Sequence, residues 1–390
     1  MDFRTFSVYR PKMEYRRFGK TDKMVSVITL GGMRFKRANE EPRYVIPSET
    51  LTQCRDTVEK AFSQGINLIE TAWGYNKSEH AYGLVLNDEL KIKRESYFLM
   101  TKGSPKSAEE TRKMVALQMK ALKTDYFDFY AWHGINNMEL LSIACAKGGP
   151  VEELLKLKKE GVIGHVGFST HAPLDVILKA IETGLFDFVN LHYYYFFQRN
   201  KPAIDLAASK DVGVFIISPN DKGGQLSNSP QKLKDLTAPL HPIQWNARFC
   251  LGHEAIHTLS FGLPVTAQFS HLNGIFPAPA PMSDEDSRIK QLLDDQKLLI
   301  PFGDFDGYAM ENDPSGINIP EILRFRMLWK CYDMKDFGIY RYNMLQEKGH
   351  YFPGYFPTED NMKKLDLSKC PAGIPVADLI WETHNGLYRK

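Results

Sequence analysis

Glu70 and Tyr75 close a short apolar run, Ile66 to Ile69, with Gly74 in the turn between them. A carboxylate and a phenol delivered to one rim suggest a proton donor and a group that tunes it. Two later apolar runs also end in ionisable groups. Tyr97 to Met100 leads to Thr101-Lys102, and Tyr126 to Trp132 leads to His133. A phenol with a reference pKa of ~10 is a poor acid at neutral pH. A neighbouring ammonium favours the phenolate, so Lys102 beside Tyr75 would lower that value. Glu70 would keep Lys102 charged and aimed, and His133 would donate to a substrate carbonyl oxygen. Such a set protonates the alkoxide that forms as hydride arrives at a carbonyl, and removes the proton in reverse. Singly, each residue has a plainer role: a structural histidine, a snorkelling lysine, a turn-capping acid, a packed tyrosine. Four such groups placed independently on one rim are improbable.

Those residues need elements to place them. Short apolar strands are expected at 25–30, 66–70, 97–102, 126–133, 164–169, 186–190, 213–218 and 256–261, with helices between most of them. Ser48 and Thr50 are candidate caps for a helix over 51–64, and Ser107 opens another with Glu109 and Glu110 in its first turn. Repeated βα units with near-continuous apolar strands imply a parallel sheet covered by helices. Eight of them predict an α/β fold, a closed (β/α)8 TIM barrel, with chemistry at the C-terminal strand ends. A doubly wound open sheet competes, but no Gly-x-Gly-x-x-Gly follows the first strand. Residues 14–19 and 25–30 read as an N-terminal β-hairpin around Gly19-Lys20-Thr21-Asp22. The division expected is a barrel over 1–275 and a mostly helical appendage over 276–390. The appendage begins in the Pro-rich Phe276 to Pro281, with helices near 283–298 and 319–335.

Composition narrows the function classes. The chain has 390 residues, 43% hydrophobic and 25% charged, with a net charge of +2, so no strong field draws it to nucleic acid or anionic lipid. No apolar run approaches the ~18 residues of a membrane span. The N-terminus has no basic region followed by an apolar one, and no secretory signal is expected. Cys54, Cys145, Cys250, Cys331 and Cys370 are far apart and odd in number, which predicts reduced thiols and a cytoplasmic setting. A small-molecule enzyme, monomeric or a small homo-oligomer, is the expectation.

The motifs, taken in order, resemble the aldo-keto reductases, barrel oxidoreductases that use a nicotinamide cofactor. They are Glu70-Thr71-Ala72-Trp73-Gly74-Tyr75 followed by Ser78-Glu79 and Gly83, then Thr101-Lys102, Asp125 through His133, and Gly167-Phe168-Ser169. The match runs over about 14–275. Gly161 to His171, Gly213 to Gly224 and His350 to Gly354 resemble the branch that often carries a C-terminal ferredoxin-like segment. The resemblance implies Tyr75 as general acid/base, Lys102 as its activator, His133 as the carbonyl's partner and Glu70 as the lysine's. It implies Ser169 and Asn190 at the nicotinamide carboxamide, with Thr170, Gly32 and Met33 nearby. Ser218, Pro219, Asn220, Lys222, Gly223 and Gly224 would follow the pyrophosphate. Ser260, Gly262 and Gln268 would approach the adenine ribose.

The sequence departs from that pattern in three places. Glu70 stands where an aspartate is usual, keeping the charge with one more methylene. Pro219 stands where a large aromatic commonly stacks on the nicotinamide. Cys370-Pro371 resembles the end of a four-cysteine cluster motif, but Asp360, Lys363 and Asp366 occupy the earlier positions, so no iron–sulfur cluster is expected. Residues 261–268 have no Lys or Arg for a 2′-phosphate, so the cofactor is NAD(H) or NADP(H), leaning to NAD(H). Trp73, His171, His192 and Tyr193 are the candidate substrate residues. Aromatics mixed with imidazoles suit a sugar, alongside small aldehydes. Two other readings compete. In one, Glu70, His133, His171 and His192 are ligands of a divalent metal in a hydrolase or isomerase, although no local His pair anchors one and Lys102 would repel it. The Glu70 and Pro219 departures also suit a nucleotide-binding redox sensor with little turnover.

Overall fold

The computed structural model describes residues 13–221, 224–346 and 354–389. The N-terminal arm, Lys222, Gly223 and the motif positions 350–353 lie outside them. Strands β1 (Tyr15–Arg17) and β2 (Met24–Ser26) form an antiparallel hairpin. Eight parallel strands follow: β3 (Ile28–Gly31), β4 (Leu68–Glu70), β5 (Phe98–Gly103), β6 (Phe127–His133), β7 (Ile163–Ser169), β8 (Phe188–Leu191), β9 (Gly213–Ile216) and β10 (Thr258–Phe261). They pair in chain order, and β10 closes on β3.

The run expected as one strand over 25–30 is two. It divides at Val27, whose N–H donates to Glu14 O at 3.0 Å while its carbonyl accepts from Leu259 N at 3.0 Å. One residue thus hands the chain from hairpin to barrel. The hairpin's Phe18 is fully buried and plugs the barrel floor, its ring 5.3 Å from Phe129 and 5.6 Å from Phe188.

Side chains two apart on a strand share a face, and this period sorts the barrel interior. Leu68, Met100, Ala131, Phe188 and Phe215 form one apolar cluster inside the barrel. Two residues further along the same strands stand Glu70, Lys102, His133 and Asn190. The apolar layer supports the polar one from below.

Around the barrel, Ser107 Oγ accepts from Glu110 N at 3.2 Å, capping the helix Ala108–Leu122 as expected. The first outer helix instead spans Ser48–Ser63 after Pro47 and has no side-chain cap; Thr50 Oγ1 donates to Lys36 O at 2.7 Å. Helices Gln231–Thr237 and Pro242–Leu251, which the sequence pattern did not announce, lie in the connection between β9 and β10. In the C-terminal region the helix expected over 319–335 stops at Tyr332. Asp333 caps it in the left-handed conformation at φ 59°, and a new helix runs over Lys335–Tyr342. The region is fastened to the barrel by Arg199–Glu311 at 2.6 Å, Arg248–Asp286 at 2.7 Å and Tyr195 Oη to Asp294 Oδ1 at 2.7 Å. Among the described residues, no helix is long and apolar enough to cross a membrane.

Candidate active site

The cluster is built from the ends of β4, β5 and β6. Glu70 and Lys102 are 3% and 1% exposed, and the Glu70 carboxylate pairs directly with the Lys102 ammonium. Lys102 Nζ also donates to Thr71 O at 3.0 Å. A single helical turn, Trp73–Tyr75, returns the chain over the rim. There Tyr75 Oη donates to Glu70 Oε1 at 3.2 Å, the oxygen that also holds Lys102. Lys102 Nζ lies 4.8 Å from the Tyr75 ring centroid, and His133 meets that ring edge-on at 6.0 Å between centroids. Burial pushes the Lys102 ammonium well below its usual pKa. A carboxylate, a destabilised ammonium and a phenol in contact can pass a proton among themselves. Glu70 reaches Lys102, Tyr75 and, through Oε2, Ser260 Oγ at 3.2 Å. The extra methylene therefore does not break the pair.

Behind Lys102 lies a network the sequence did not reveal. Glu79 Oε1 accepts from Thr101 Oγ1 and Gln118 Nε2, each at 2.6 Å, and Gln118 Nε2 also donates to Lys102 O at 3.1 Å. Tyr130 Oη donates to Gln118 Oε1 at 2.7 Å. Burial pushes the Glu79 carboxyl up to about 7, although its hydrogen bonds act to lower it. A folded value above the unfolded 4.5 means that the stability contribution is full below pH 4.5 and is lost as pH rises through 7. Glu79→Gln should remove that loss. The wild type should weaken relative to the variant by ~3 kcal/mol across this window. Urea unfolding of both proteins from about pH 4.5 to 8 measures it, and parallel profiles would refute it.

A cleft of about 370 Å³ opens beside Glu70 and Tyr75. Of the residues read as cofactor partners, Met33, Ser218, Pro219, Asn220, Gly224, Ser260, Gly262 and Gln268 line it. Lys222 and Gly223 lie outside the described residues. Gly32 sits below, where a Cβ would meet Ser78 Oγ and Tyr82 at 2.5 Å. Ser169 and Asn190 are registered neighbours of His133 across β6, β7 and β8. Ser169 Oγ accepts from Gly134 N at 3.1 Å. Asn190 Nδ2 reaches Met100 Sδ at 3.3 Å, while its fully buried Oδ1 has no hydrogen-bond partner among the described residues. An unsatisfied buried acceptor at this rim fits the amide of a nicotinamide carboxamide. Thr170 is engaged elsewhere, its hydroxyl donating to Ile135 O at 2.6 Å and accepting from Ala172 N at 2.9 Å within a loop. Arg34, Asp221 and His271 also line the cleft, and of these the sequence reading did not name His271.

The substrate candidates separate. The Arg43 guanidinium carbon lies 3.9 Å over the Trp73 ring. His171 Nδ1 and His192 Nε2 are 2.7 Å apart, joined by one hydrogen bond. His171 also borders a second cavity of about 550 Å³, shared with Asn136, Asn137 and Arg199 and walled by Glu311, Asp313 and Asn318 of the C-terminal region. Tyr193 turns aside: its hydroxyl meets His253 Nε2 at 2.7 Å and its ring stacks on Phe249. Among the described residues, no three His, Cys, Asp or Glu side chains gather to hold a metal.

Comparison with known proteins identifies the family and the fold. The model of the "Aldo/keto reductase family" matches residues 27–250. D-arabinose 1-dehydrogenase of Saccharomyces cerevisiae is 32% identical over 166 residues, 40% of this chain and 46% of that enzyme, so the alignment spans less than half of the relative's length. Solved structures share the fold at low identity. The holo form of aldo-keto reductase AKR11C1 from Bacillus halodurans has a TM-score of 0.59 at 22% identity, covering 72% of this chain and 96% of that one. An aldo/keto reductase from Brucella melitensis has a TM-score of 0.56 at 19% identity, covering 72% of this chain and 100% of that one. With a family model spanning more than half its length over the barrel and its rim, the chain belongs to the aldo/keto reductase family.

Proposed function

We propose that this chain is an NAD(P)(H)-dependent oxidoreductase that interconverts a carbonyl and an alcohol, with Tyr75 as general acid/base. One observation carries the reading: the Tyr75 hydroxyl shares Glu70 Oε1 with the Lys102 ammonium. The cofactor, when bound, supplies or takes the hydride. Tyr75 Oη gives a proton to the nascent alkoxide, and in the other direction removes it. Lys102 lowers the cost of the phenolate through its positive charge, and Glu70 fixes Lys102. His133 orients the carbonyl from the opposite side of Tyr75. Asn190 Oδ1 and Ser169 would hold the carboxamide; the pyrophosphate would run past Ser218 to Gly224. Trp73 and His171, with His192 behind, are our proposed substrate contacts.

NAD(H) is favoured by the lack of Lys and Arg over 261–268. Arg34 argues the other way, since a Cβ at Gly262 would stand 3.0 Å from Arg34 Cγ, bringing a cation to that segment. We propose aldoses and related polyols as the first substrates to test. The support is the amides, imidazole and carboxylates around His171, together with the arabinose dehydrogenase among the relatives. The test is a panel of aldehydes, ketones, aldoses and polyols read at the nicotinamide absorbance with each cofactor. Turnover on an aldose or polyol is expected. Activity on simple aldehydes alone would remove the sugar proposal. Cofactor binding with no turnover on any member would favour a redox sensor.

A further inference from the structure

The lining of the cleft beside Glu70 and Tyr75 includes Asp221, a carboxylate whose side chain is fully buried. It follows β9, where Ser218 and Asp221 are left-handed at φ 52° and 58°, Gly224 N donates to Asp221 O at 2.9 Å, and Leu226 N donates to Asn220 O at 3.1 Å. A carboxylate at this position would repel a dinucleotide's diphosphate in a medium where charges are poorly screened. Its charge is met from outside the barrel. Arg324, on the C-terminal helix Ile319–Tyr332, pairs directly with Asp221. The Arg324 guanidinium is itself held by Nε donating to Phe196 O at 2.7 Å and by Glu321 at 3.3 Å. Tyr194 Oη donates to Asp221 Oδ1 at 3.3 Å. The other acid lining the cleft, Glu70, is paired with Lys102. With both acids matched, Arg34 is the Lys or Arg left on the lining without an ion pair among the described residues.

We propose that the C-terminal region completes the dinucleotide site: Arg324 acts as a positioning residue that cancels Asp221 and holds the loop after β9, so that the cleft accepts a diphosphate. The inference rests on the cofactor reading above and gives the appended region a task within the barrel's own site. Arg324 touches no reacting atom. Its effect passes through Asp221, and it bears equally on NAD(H) and NADP(H) because both carry the diphosphate.

The test is direct binding of NADH and NADPH without substrate, followed by nicotinamide fluorescence or calorimetry, with circular dichroism to verify folding. Arg324→Gln should raise Kd for both by at least about tenfold, because it takes the directly paired guanidinium from a buried carboxylate beside an anion. Asp221→Asn/Arg324→Gln should return Kd to within about threefold of wild type, because the repulsion has gone with the acid. Asp221→Asn alone, with Glu321 still partnering Arg324, should bind no more weakly than wild type and with a steeper salt dependence. A folded Arg324→Gln that binds as wild type overturns the proposal, as does a double variant as weak as the single. If Arg324→Gln does not fold, Asp221→Asn decides, and weaker binding by it overturns the proposal. A wild-type chain that binds neither dinucleotide overturns the cofactor reading itself, and this inference with it.

Discussion

Tyr75→Phe will bind NADH or NADPH as the wild type does and turn over at least about a hundred times more slowly, the lower bound for losing a positioned general acid. The phenyl ring keeps the packing against His133 and Lys102, so only the hydroxyl is lost. That hydroxyl belongs to a half-buried side chain and donates to Glu70 Oε1. Its removal leaves Glu70 with Lys102 and Ser260, so no buried charge is stranded. The variant should therefore keep its stability, and the loss should appear in kcat with cofactor Kd unchanged. Wild-type turnover by Tyr75→Phe would dismiss the site as drawn.

Lys102→Met should do two separable things. It removes the cation beside the phenol, so Tyr75 loses its activation and turnover collapses. It also strands the Glu70 carboxylate at 3% exposure, and breaking a buried ion pair from one side costs about 3–5 kcal/mol. The double variant Glu70→Gln/Lys102→Met removes both charges. It should regain most of the lost stability while staying inactive, since replacing both members of a buried pair is far less costly than removing one. Denaturant midpoints and kcat for wild type, single and double variants complete the comparison. If the double variant recovers activity with stability, Lys102 acts only as packing. If the single variant unfolds no more easily than wild type, the pair is not the buried unit described.

Much of the fold was legible in the chain because its signals are local. Alternating apolar runs and helical stretches are periodic over fewer than ten residues at a time, and each barrel strand was visible in that way. The strand ends carried the chemistry with them. Once Leu68, Met100 and Ala131 face inward, Glu70, Lys102 and His133 must do so as well, because a strand repeats every two residues. The boundaries were less legible. Val27 belongs to an unbroken apolar run, and only its two hydrogen bonds, one to each sheet, show that the run is divided.

The sequence by itself determined the barrel, the motif order of the family and the polar rim with Glu70, Tyr75, Lys102 and His133 on it. Tertiary structure decided which of those groups meet and which turn away. Thr170 closes a loop, Tyr193 packs on Phe249 and His253, and Asn190 Oδ1 is buried without a hydrogen-bond partner among the described residues. It also brought Arg34 to Gly262, Glu79 behind Lys102 and Arg324 to Asp221. The physical reason is range. Periodicity is set by neighbours along the chain, whereas a charge finds its partner only when the barrel has closed and the C-terminal helices have packed against it.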